Sequence, residues 1–327
     1  MNDEKKTIVG FIGLGVMGGP MALNLVKAGF EVIVHDSQRA AAARQLDAGA
    51  AWADSPREVA ERAEVVVSCL PSLQAIEAVA LGADGLLAGT RPGQVCFETS
   101  TGSPALIRRI HAAFAARGAQ VLDAPISGGA RGARLGRLAF WVGGDKAAFD
   151  RHHAVLRAMG TEIVHVGAIG AGLVTKLVNN CASQSVQAAI AESFVLGVKA
   201  GADPLGLWQA IRQSVVGRRR TYDGLINEFL PGHYEPPRTA LRIIHKDVTL
   251  AAELARDTGV TMPIAAVALA DIEQAMQRGW AEHDRRSVML LPQQRAGVSI
   301  AVPAQGIQDV LQRDPVAATD IESGPAA

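Results

Sequence analysis

The segment that most constrains the fold of this chain is a glycine-rich turn near its start. An apolar stretch, Thr7–Ile12, runs directly into Gly13–Gly18 (GLGVMG), and an amphipathic stretch, Met17–Ala28, follows. A strand, a GxGxxG turn and a helix in this order are typical of the first unit of a dinucleotide-binding domain. The N-terminus of such a helix supplies N–H donors and a positive dipole for a pyrophosphate.

The glycines of this motif have separate predicted tasks. Gly13 allows the tight turn, Gly15 lets the backbone approach a pyrophosphate, and Gly18 lets the helix pack closely on the strand. Val16 and Met17 are expected to line the same site, although Met17 could equally serve packing. The motif predicts NAD as cofactor, with NADP possible.

An acidic residue follows the second predicted strand, Val32–His35, where such domains hold the adenosine ribose. Asp36 lies about 20 residues after the glycine turn, and its carboxylate would accept hydrogen bonds from the ribose hydroxyls. The 2′-phosphate of NADP would face a like charge there. Arg39 and Ser37 could hold that phosphate if the loop turned Asp36 away. The sequence therefore favours NAD over NADP.

From Thr7 to about Val166, short β-branched stretches alternate with alanine-rich amphipathic stretches, which predicts βα units around a parallel sheet. Two helix starts carry a capping serine followed by proline, at Ser55-Pro56 and Ser103-Pro104, and Glu58 completes a capping box at the first. The remaining strands are predicted at Val65–Leu70, Val95–Glu98 and Gln120–Leu122.

The strand signal is lost after Gly172, and helical spacing continues through the rest of the chain up to the predicted tail. Helices are predicted over Thr175–Ala200, Pro204–Ser214, Lys246–Thr258 and Pro263–Gly279. The predicted fold class is α/β: an N-terminal Rossmann doubly wound sheet followed by an all-α C-terminal domain, joined by a long helix. Residues 1–170 form the first domain, residues 171–312 the second, and residues 313–327 a frayed tail.

Composition excludes several classes of partner. Lys plus Arg equals Asp plus Glu at 32 each, so no net field favours nucleic acid or a membrane surface. The three cysteines and eight histidines have neither disulfide-framework nor metal-ligand spacing, so no metal is predicted. A charged N-terminus without a signal-peptide pattern predicts a cytoplasmic protein.

Four segments in the same order resemble the β-hydroxyacid dehydrogenase family, which includes 3-hydroxyisobutyrate dehydrogenases and tartronate semialdehyde reductases. They are Gly10–Gly18, Asp123–Gly129 (DAPISGG), Gly170–Asn180 and Lys246-Asp247. The resemblance runs from about residue 7 to residue 290. It implies an NAD(P)-dependent dehydrogenase of a small β-hydroxy acid or its semialdehyde, assembled as a homo-oligomer, a dimer or a tetramer.

The resemblance also implies roles for single residues. It makes Lys176 the catalytic residue and Asn180 a substrate-holding residue, and it places Lys246 near cofactor and substrate. Substrate contacts are implied for Ser127, Gly128 and Gly129, which bind the carboxylate, and for Thr101. Thr101 could instead serve the entry of a helix, and Pro71 resembles a cofactor-lining position that could equally be packing.

Elementary chemistry supports these roles. A Ser-Gly-Gly turn can aim backbone N–H groups and a hydroxyl at one anion. Lys176 and Asn180 are four residues apart on a predicted helix and share a face. Alcohol oxidation requires a base for the hydroxyl proton, and a lysine serves if desolvation or a nearby cation lowers its pKa from about 10.4. The apolar neighbours that would desolvate it are Leu173, Val174, Leu177 and Val178.

Two other functions remain open. The first is an imine reductase, a class that shares this architecture but has Asp or Tyr at the position that resembles Lys176. The second is a dinucleotide-binding protein that catalyses no reaction. The run Arg218–Arg220 departs from the Ser- and Trp-containing stretch of many family members. It is either a solvated surface or a contact for a second acidic or polar group of the substrate.

Overall fold

The computed structural model describes residues 7–199, 201–214, 217, 223–258 and 262–312. The chain divides into two compact units, Met1–Val178 and Asn179–Ala327. The predicted contact of Arg218–Arg220 and the predicted tail lie outside the described residues. The domain boundary predicted after residue 170 stays a prediction.

A mostly parallel sheet forms the centre of the first unit. Its first six strands are β1 (Ile8–Ile12), β2 (Glu31–His35), β3 (Ala51–Trp52), β4 (Val65–Ser68), β5 (Val95–Glu98) and β6 (Gln120–Asp123). All six are parallel and lie in the order β3-β2-β1-β4-β5-β6, which confirms the predicted doubly wound fold. The order reverses between β1 and β4, and ligands of such sheets bind at the carboxyl ends of the strands at that point.

Three strands that the sequence pattern did not predict extend the sheet beyond β6. They are β7 (Ile126–Ser127), β8 (Leu138–Gly143) and β9 (Gly160–Gly167). Strand β8 runs antiparallel to β6 and β7 and parallel to β9. The pairing of Ser127 with Ala139 fixes the start of the Ser-Gly-Gly turn on this antiparallel part of the sheet.

Helices cover both faces of the sheet, because alternate strand residues belong to two apolar cores. Val65 and Val67 pack in one core and Val66 in the other. The helices of this unit are α1 (Gly18–Lys27), α2 (Ala43–Asp47), α3 (Pro56–Arg62), α4 (Leu73–Leu81), α5 (Leu86–Gly89), α6 (Pro104–Ala115), α7 (Gly129–Leu135) and α8 (Lys146–Arg157).

Both predicted serine caps are confirmed. Ser55 Oγ accepts a hydrogen bond from the Glu58 N–H at 3.1 Å, and Ser103 Oγ accepts from two backbone N–H groups. The Glu58 carboxylate accepts from the Asp54 N–H at 2.8 Å, not from the N–H of Ser55 as a capping box predicts. The reciprocal bond is therefore shifted by one residue.

The long predicted helix is α9 (Ala171–Lys199), and it begins four residues earlier than its apolar pattern predicted. Among the described residues of the second unit the other long elements are also helices: α10 (Pro204–Gln213), α11 (Leu241–Thr258), α12 (Pro263–Gln277), α13 (Leu290–Ala296) and α14 (Ala304–Gln312). Their core is built around the fully buried side chains of Phe194, Trp208 and Phe229. None of the described helices is long and apolar enough to cross a membrane.

Candidate active site

Two glycines of the first turn are required by the protein's own packing. Gly13 has a φ of +91°, and a Cβ there would lie 2.3 Å from the Cys69 carbonyl oxygen at the end of β4. A Cβ on Gly18 would lie 1.9 Å from the Gly13 carbonyl oxygen. The predicted structural tasks of Gly13 and Gly18, a tight turn and a close approach, are confirmed.

Gly15 has no such internal explanation. A Cβ at this position meets no heavy atom of the described residues within 4 Å. The neighbouring Val16 is 74% exposed, whereas Met17 is half-buried and packs against the core. A residue without a side chain, facing open space at a helix N-terminus, fits close approach by a pyrophosphate.

Asp36 lies against the same turn. Its Oδ2 accepts a hydrogen bond from the Leu14 N–H at 2.7 Å, and its Oδ1 accepts from the Gln38 N–H at 2.9 Å. The Gly13 N–H donates to the His35 carbonyl oxygen at 3.0 Å, beside this contact. The structure therefore brings together the glycine turn and the acidic residue that the sequence predicts for one dinucleotide site.

The cation nearest to Asp36 in sequence has other partners. The Arg39 guanidinium lies 5.1 Å from the centroid of the Trp52 ring. Its Nη1 lies 3.8 Å from Oδ1 of Asp54. Both contacts place the exposed Arg39 side chain beside the end of β3.

The loops after β4 and β5 are joined by a buried glutamate that sequence analysis treated only as a strand end. Glu98 accepts hydrogen bonds from the Ser68 hydroxyl at 2.6 Å and from the Ser100 N–H at 2.8 Å. The Ser100 hydroxyl in turn accepts from the Leu70 N–H at 2.6 Å. This network holds the loop of the exposed Pro71 beside the loop that continues to the half-buried Thr101.

The predicted carboxylate turn, Ser127–Gly129, connects β7 to α7. Gly128 has a φ of +128° and Gly129 a φ of +60°, conformations that L side chains rarely adopt. The Gly132 N–H already donates to the Gly128 carbonyl oxygen at 3.0 Å. The turn thus depends on its two glycines, as an anion-binding turn of backbone N–H groups requires.

Lys176 lies in the second turn of α9 and is half-buried. Leu173 and Leu177 are almost fully buried, as predicted, but Val178 is 61% exposed. The prediction that four apolar neighbours surround Lys176 is therefore wrong for Val178, whose side chain is mostly exposed to solvent.

Asp123, the first residue of the DAPISGG segment, had no predicted role. Its carboxylate is fully buried and accepts hydrogen bonds from the Gly170 N–H at 2.6 Å and the Leu173 N–H at 2.7 Å. Burial raises the pKa of the Asp123 carboxyl, while these backbone hydrogen bonds act in the opposite direction. The sequence held a signal, a lone acid that ends an apolar strand, which analysis by local motifs did not use.

In the second unit, two predicted site residues, Asn180 and Lys246, lie against the carboxylate of Asp247. The Asn180 side-chain amide donates to Asp247 Oδ2 at 2.6 Å, across 67 positions of sequence. Lys246 Nζ lies 3.4 Å from Oδ1 of the same carboxylate. Asp247 is 3% exposed, so a buried acid holds the amide by a hydrogen bond and has an ammonium group beside it.

Comparison with known proteins gives a consistent result. Residues 8–167 match the family model described as the NAD binding domain of 6-phosphogluconate dehydrogenase. Residues 170–291 match the model described as NAD-binding of NADP-dependent 3-hydroxyisobutyrate dehydrogenase. The two models together cover most of the chain.

Individual relatives point the same way. The 3-hydroxyisobutyrate dehydrogenase of Pseudomonas aeruginosa is 40% identical, over 80% of this chain and 90% of its own. The 2-(hydroxymethyl)glutarate dehydrogenase of Eubacterium barkeri is 34% identical, over 91% and 99%. A structure of Mycobacterium tuberculosis 3-hydroxyisobutyrate dehydrogenase with L-serine is 32% identical and superimposes with a TM-score of 0.78, over 88% and 99%.

The glycine turn, the aspartate that lies against it and the strand order agree with these matches, so a nicotinamide dinucleotide is the cofactor. The chain therefore belongs to the β-hydroxyacid dehydrogenase family and is an NAD(P)-dependent oxidoreductase that acts on the CH–OH group of a hydroxy acid.

Proposed function

We propose that this enzyme oxidises 3-hydroxypropanoates that carry a substituent on carbon 2, HO–CH2–CH(R)–COO⁻, to the corresponding semialdehydes, and catalyses the reverse reduction. The substituent is methyl in 3-hydroxyisobutyrate, ammonium in L-serine and carboxyethyl in 2-(hydroxymethyl)glutarate. These are the compounds in the names of the three relatives. Their shared part, a primary alcohol two carbons from a carboxylate, defines the substrate class.

The observation that carries this proposal is the meeting of Asn180 and Lys246 at the buried Asp247. An amide whose Nδ2 is held by a carboxylate keeps its orientation. The Asn180 Oδ1 accepts a hydrogen bond from the Asn179 side-chain amide at 3.2 Å, and its second lone pair can face a ligand in a fixed direction. An ammonium group beside it attracts an anionic substrate. A protein that only stored a dinucleotide would have no need of this arrangement.

Lys176 is the proposed proton-handling residue. During oxidation the hydroxyl proton passes to Nζ of Lys176 while the hydride on the same carbon leaves with both electrons of its C–H bond. A nicotinamide dinucleotide held by the Gly13–Gly18 turn and Asp36 would supply the hydride acceptor, or the hydride donor in the reverse direction. Half-burial beside Leu173 and Leu177 supports the role, because a general acid–base group must be held within reach of the proton that it transfers.

The Ser127–Gly129 turn is the proposed site of the substrate carboxylate. Its backbone N–H groups and the Ser127 hydroxyl would bind the anion, and Thr101 would contact the same substrate from the loop after β5. Two positive φ values in succession support this role, since such turns form concave anion sites.

A substrate panel with one matched pair of variants tests the proposal. Reduced-cofactor formation is followed for the three named acids with the wild type, Lys176→Ala and Lys146→Ala. Lys146 is an exposed lysine paired with Asp150 in α8 and serves as the control. We expect Lys176→Ala to lower turnover by about two to four orders of magnitude, with Lys146→Ala close to the wild type.

The other outcomes are equally informative. Cofactor binding without turnover of any acid would indicate a dinucleotide-binding protein, and turnover of cyclic imines alone would indicate an imine reductase. A Lys176→Ala enzyme with a near-normal single-turnover rate would remove Lys176 from the mechanism. Asn180→Ala is expected to have a milder effect than Lys176→Ala.

We also propose that the enzyme prefers NAD to NADP. Asp36 already borders the glycine turn through the Leu14 N–H, and Arg39, which could bind a 2′-phosphate, is engaged with Trp52 and Asp54. We expect Asp36→Asn to shift the ratio of kcat/KM values toward NADP. A native preference for NADP, or a ratio that Asp36→Asn leaves unchanged, would contradict the assignment.

We finally propose a cytoplasmic homo-oligomer. Ile264 and Val267 are three residues apart on α12, and more than half of each side chain is exposed, so this helix presents an apolar face that a second copy could cover. Light scattering on the wild type and on Ile264→Lys checks this proposal. A monomeric wild type would refute it.

A further inference from the structure

The start of α9 is held by a carboxylate that comes from a distant strand. The first N–H groups of a helix have no partner within the helix and are usually satisfied by the residue before it. Here that residue is Gly170, which has a φ of +94° and no side chain. Asp123, at the end of β6, supplies the missing acceptor by binding the N–H groups of Gly170 and Leu173.

The surroundings of Asp123 are shaped around this carboxylate. A Cβ on Gly143 would lie 2.5 Å from Asp123 Oδ1, and a Cβ on Gly172 would lie 2.9 Å from Oδ2. Two glycines therefore close in on its two oxygens from β8 and from α9. A buried carboxylate at a helix N-terminus is favoured by the helix dipole and by charge-assisted hydrogen bonds.

Asp123 lies between two parts of the proposed active site. In one direction its strand leads within four residues to Ser127, the start of the carboxylate turn. In the other, the Leu173 N–H that it holds lies three residues, less than one helical turn, before Lys176. A single side chain therefore fixes the helix segment of Lys176 to the strand that leads into the turn.

We propose that Asp123 is a positioning residue for catalysis, which acts by holding the Lys176 segment of α9 in place relative to the Ser127–Gly129 turn. This inference rests on the proposed role of Lys176. In the proposed role, Asp123 touches neither substrate nor cofactor. Its effect is geometric, and a displacement of about 1 Å between reacting groups can lower a rate about 100-fold.

A double-mutant cycle tests this role. Asp123→Asn keeps the shape of the side chain, but its amide nitrogen turns a donor toward one of the two N–H groups. We expect kcat to fall about 10- to 100-fold, while the Kd of NADH changes by no more than about two-fold. In the Lys176→Ala background, Asp123→Asn should lower the residual rate by no more than about two-fold, because a group that acts through Lys176 has little left to affect.

Glu98→Gln is the matched control. Glu98 is also a buried carboxylate that ends a strand, and it pairs in register with Asp123, but it binds Ser68 and Ser100 at the ends of β4 and β5. Glu98→Gln should lower kcat by the same factor in the wild-type background and in the Lys176→Ala background. Additive losses for Asp123→Asn, like those of Glu98→Gln, would show a general structural role and overturn the proposal.

The two hypotheses fail in different ways. A fully active Lys176→Ala enzyme refutes the proposed function, whereas an impaired Lys176→Ala enzyme with an additive cycle refutes only the positioning role. If Asp123→Asn does not fold, Asp123→Ser, with one acceptor in a smaller volume, replaces it in the cycle. Amide hydrogen exchange of the wild type gives a check without any variant: rapid exchange at Gly170 and Leu173 would also overturn the proposal.

Discussion

A methyl group added at Gly15 of the glycine turn should weaken cofactor binding without destabilising the fold. Gly15 has a φ outside the left-handed region, and a methyl group placed on its Cα would meet open space, with no described heavy atom within 4 Å. Alanine at this position should cost the folded state nothing and should reduce the entropy of the unfolded chain. We expect Gly15→Ala to raise the free energy of unfolding by about 0.4–1 kcal/mol, which raises Tm by about 1–4 °C.

Gly18→Ala adds the same methyl group three residues later and serves as the matched control. Its Cβ would lie 1.9 Å from the Gly13 carbonyl oxygen, so backbone must move to accept it. Overpacking of this kind costs about 1–3 kcal/mol, and Tm should fall by about 2–12 °C. The two variants of one turn are therefore predicted to change stability in opposite directions.

Cofactor affinity should respond differently from stability. The methyl group of Gly15→Ala would occupy the space through which a pyrophosphate approaches the helix N-terminus. Loss of one charge-assisted hydrogen bond, about 1.5–3 kcal/mol, raises the Kd of NADH about 10- to 150-fold. Thermal melting without cofactor and fluorescence titration with NADH measure the two quantities. Wild-type affinity in Gly15→Ala would refute the assignment of Gly15 to the pyrophosphate, and a lower Tm than that of Gly18→Ala would refute the packing argument.

Three further predictions concern other groups. If the Ser127–Gly129 turn binds the carboxylate, the amide of the best substrate should have a much lower kcat/KM than the acid, and equal values would argue against the turn. Burial, reinforced by Glu98, raises the pKa of Cys96 to about 12, so peptide mass spectrometry should find no iodoacetamide adduct on Cys96 at pH 8 before unfolding; an adduct would contradict its burial. Burial raises the pKa of Glu228, so the folded protein takes up this proton at a higher pH than the unfolded chain does, and the stability of the wild type relative to Glu228→Gln should rise as pH falls through that range. Urea unfolding of both proteins at several pH values measures this difference, and a wild type that loses stability relative to Glu228→Gln as pH falls would contradict it.

The features that sequence analysis predicted correctly are those with local causes. The glycine turn, the two serine caps and the strands β1, β2, β4, β5 and β6 depend on residues within a few positions of one another. The helix boundaries were less accurate: α11 begins at Leu241 rather than at Lys246, and α9 begins at Ala171 rather than at Thr175. For α9 the physical reason is its cap, which comes from Asp123 and not from a neighbouring residue.

The missed features depend on contacts between distant segments. Buried and half-buried side chains alternate along the first part of strand β8, where Leu138 and Phe140 are buried and Trp141 is half-buried. Nothing in that pattern specifies an antiparallel partner. Asn180 and Asp247 each occur in a predicted motif, yet the hydrogen bond between them spans 67 positions. The sequence names candidate residues for the site, but the contacts that hold them come from distant segments that its local motifs do not specify.

Glu98 and Asp123 show how such supporting residues can be found. Each ends an apolar parallel strand, and a carboxylate buried there is tolerated only if donors reach it. The donors that reach these two carboxylates include backbone N–H groups at both and a serine hydroxyl at Glu98. An acid at the carboxyl end of a buried strand, where the following loop carries site residues, therefore predicts that a distant loop or helix start converges on it. Applied to this chain, that rule selects the two carboxylates that hold the loops of Pro71 and Thr101 and the helix of Lys176.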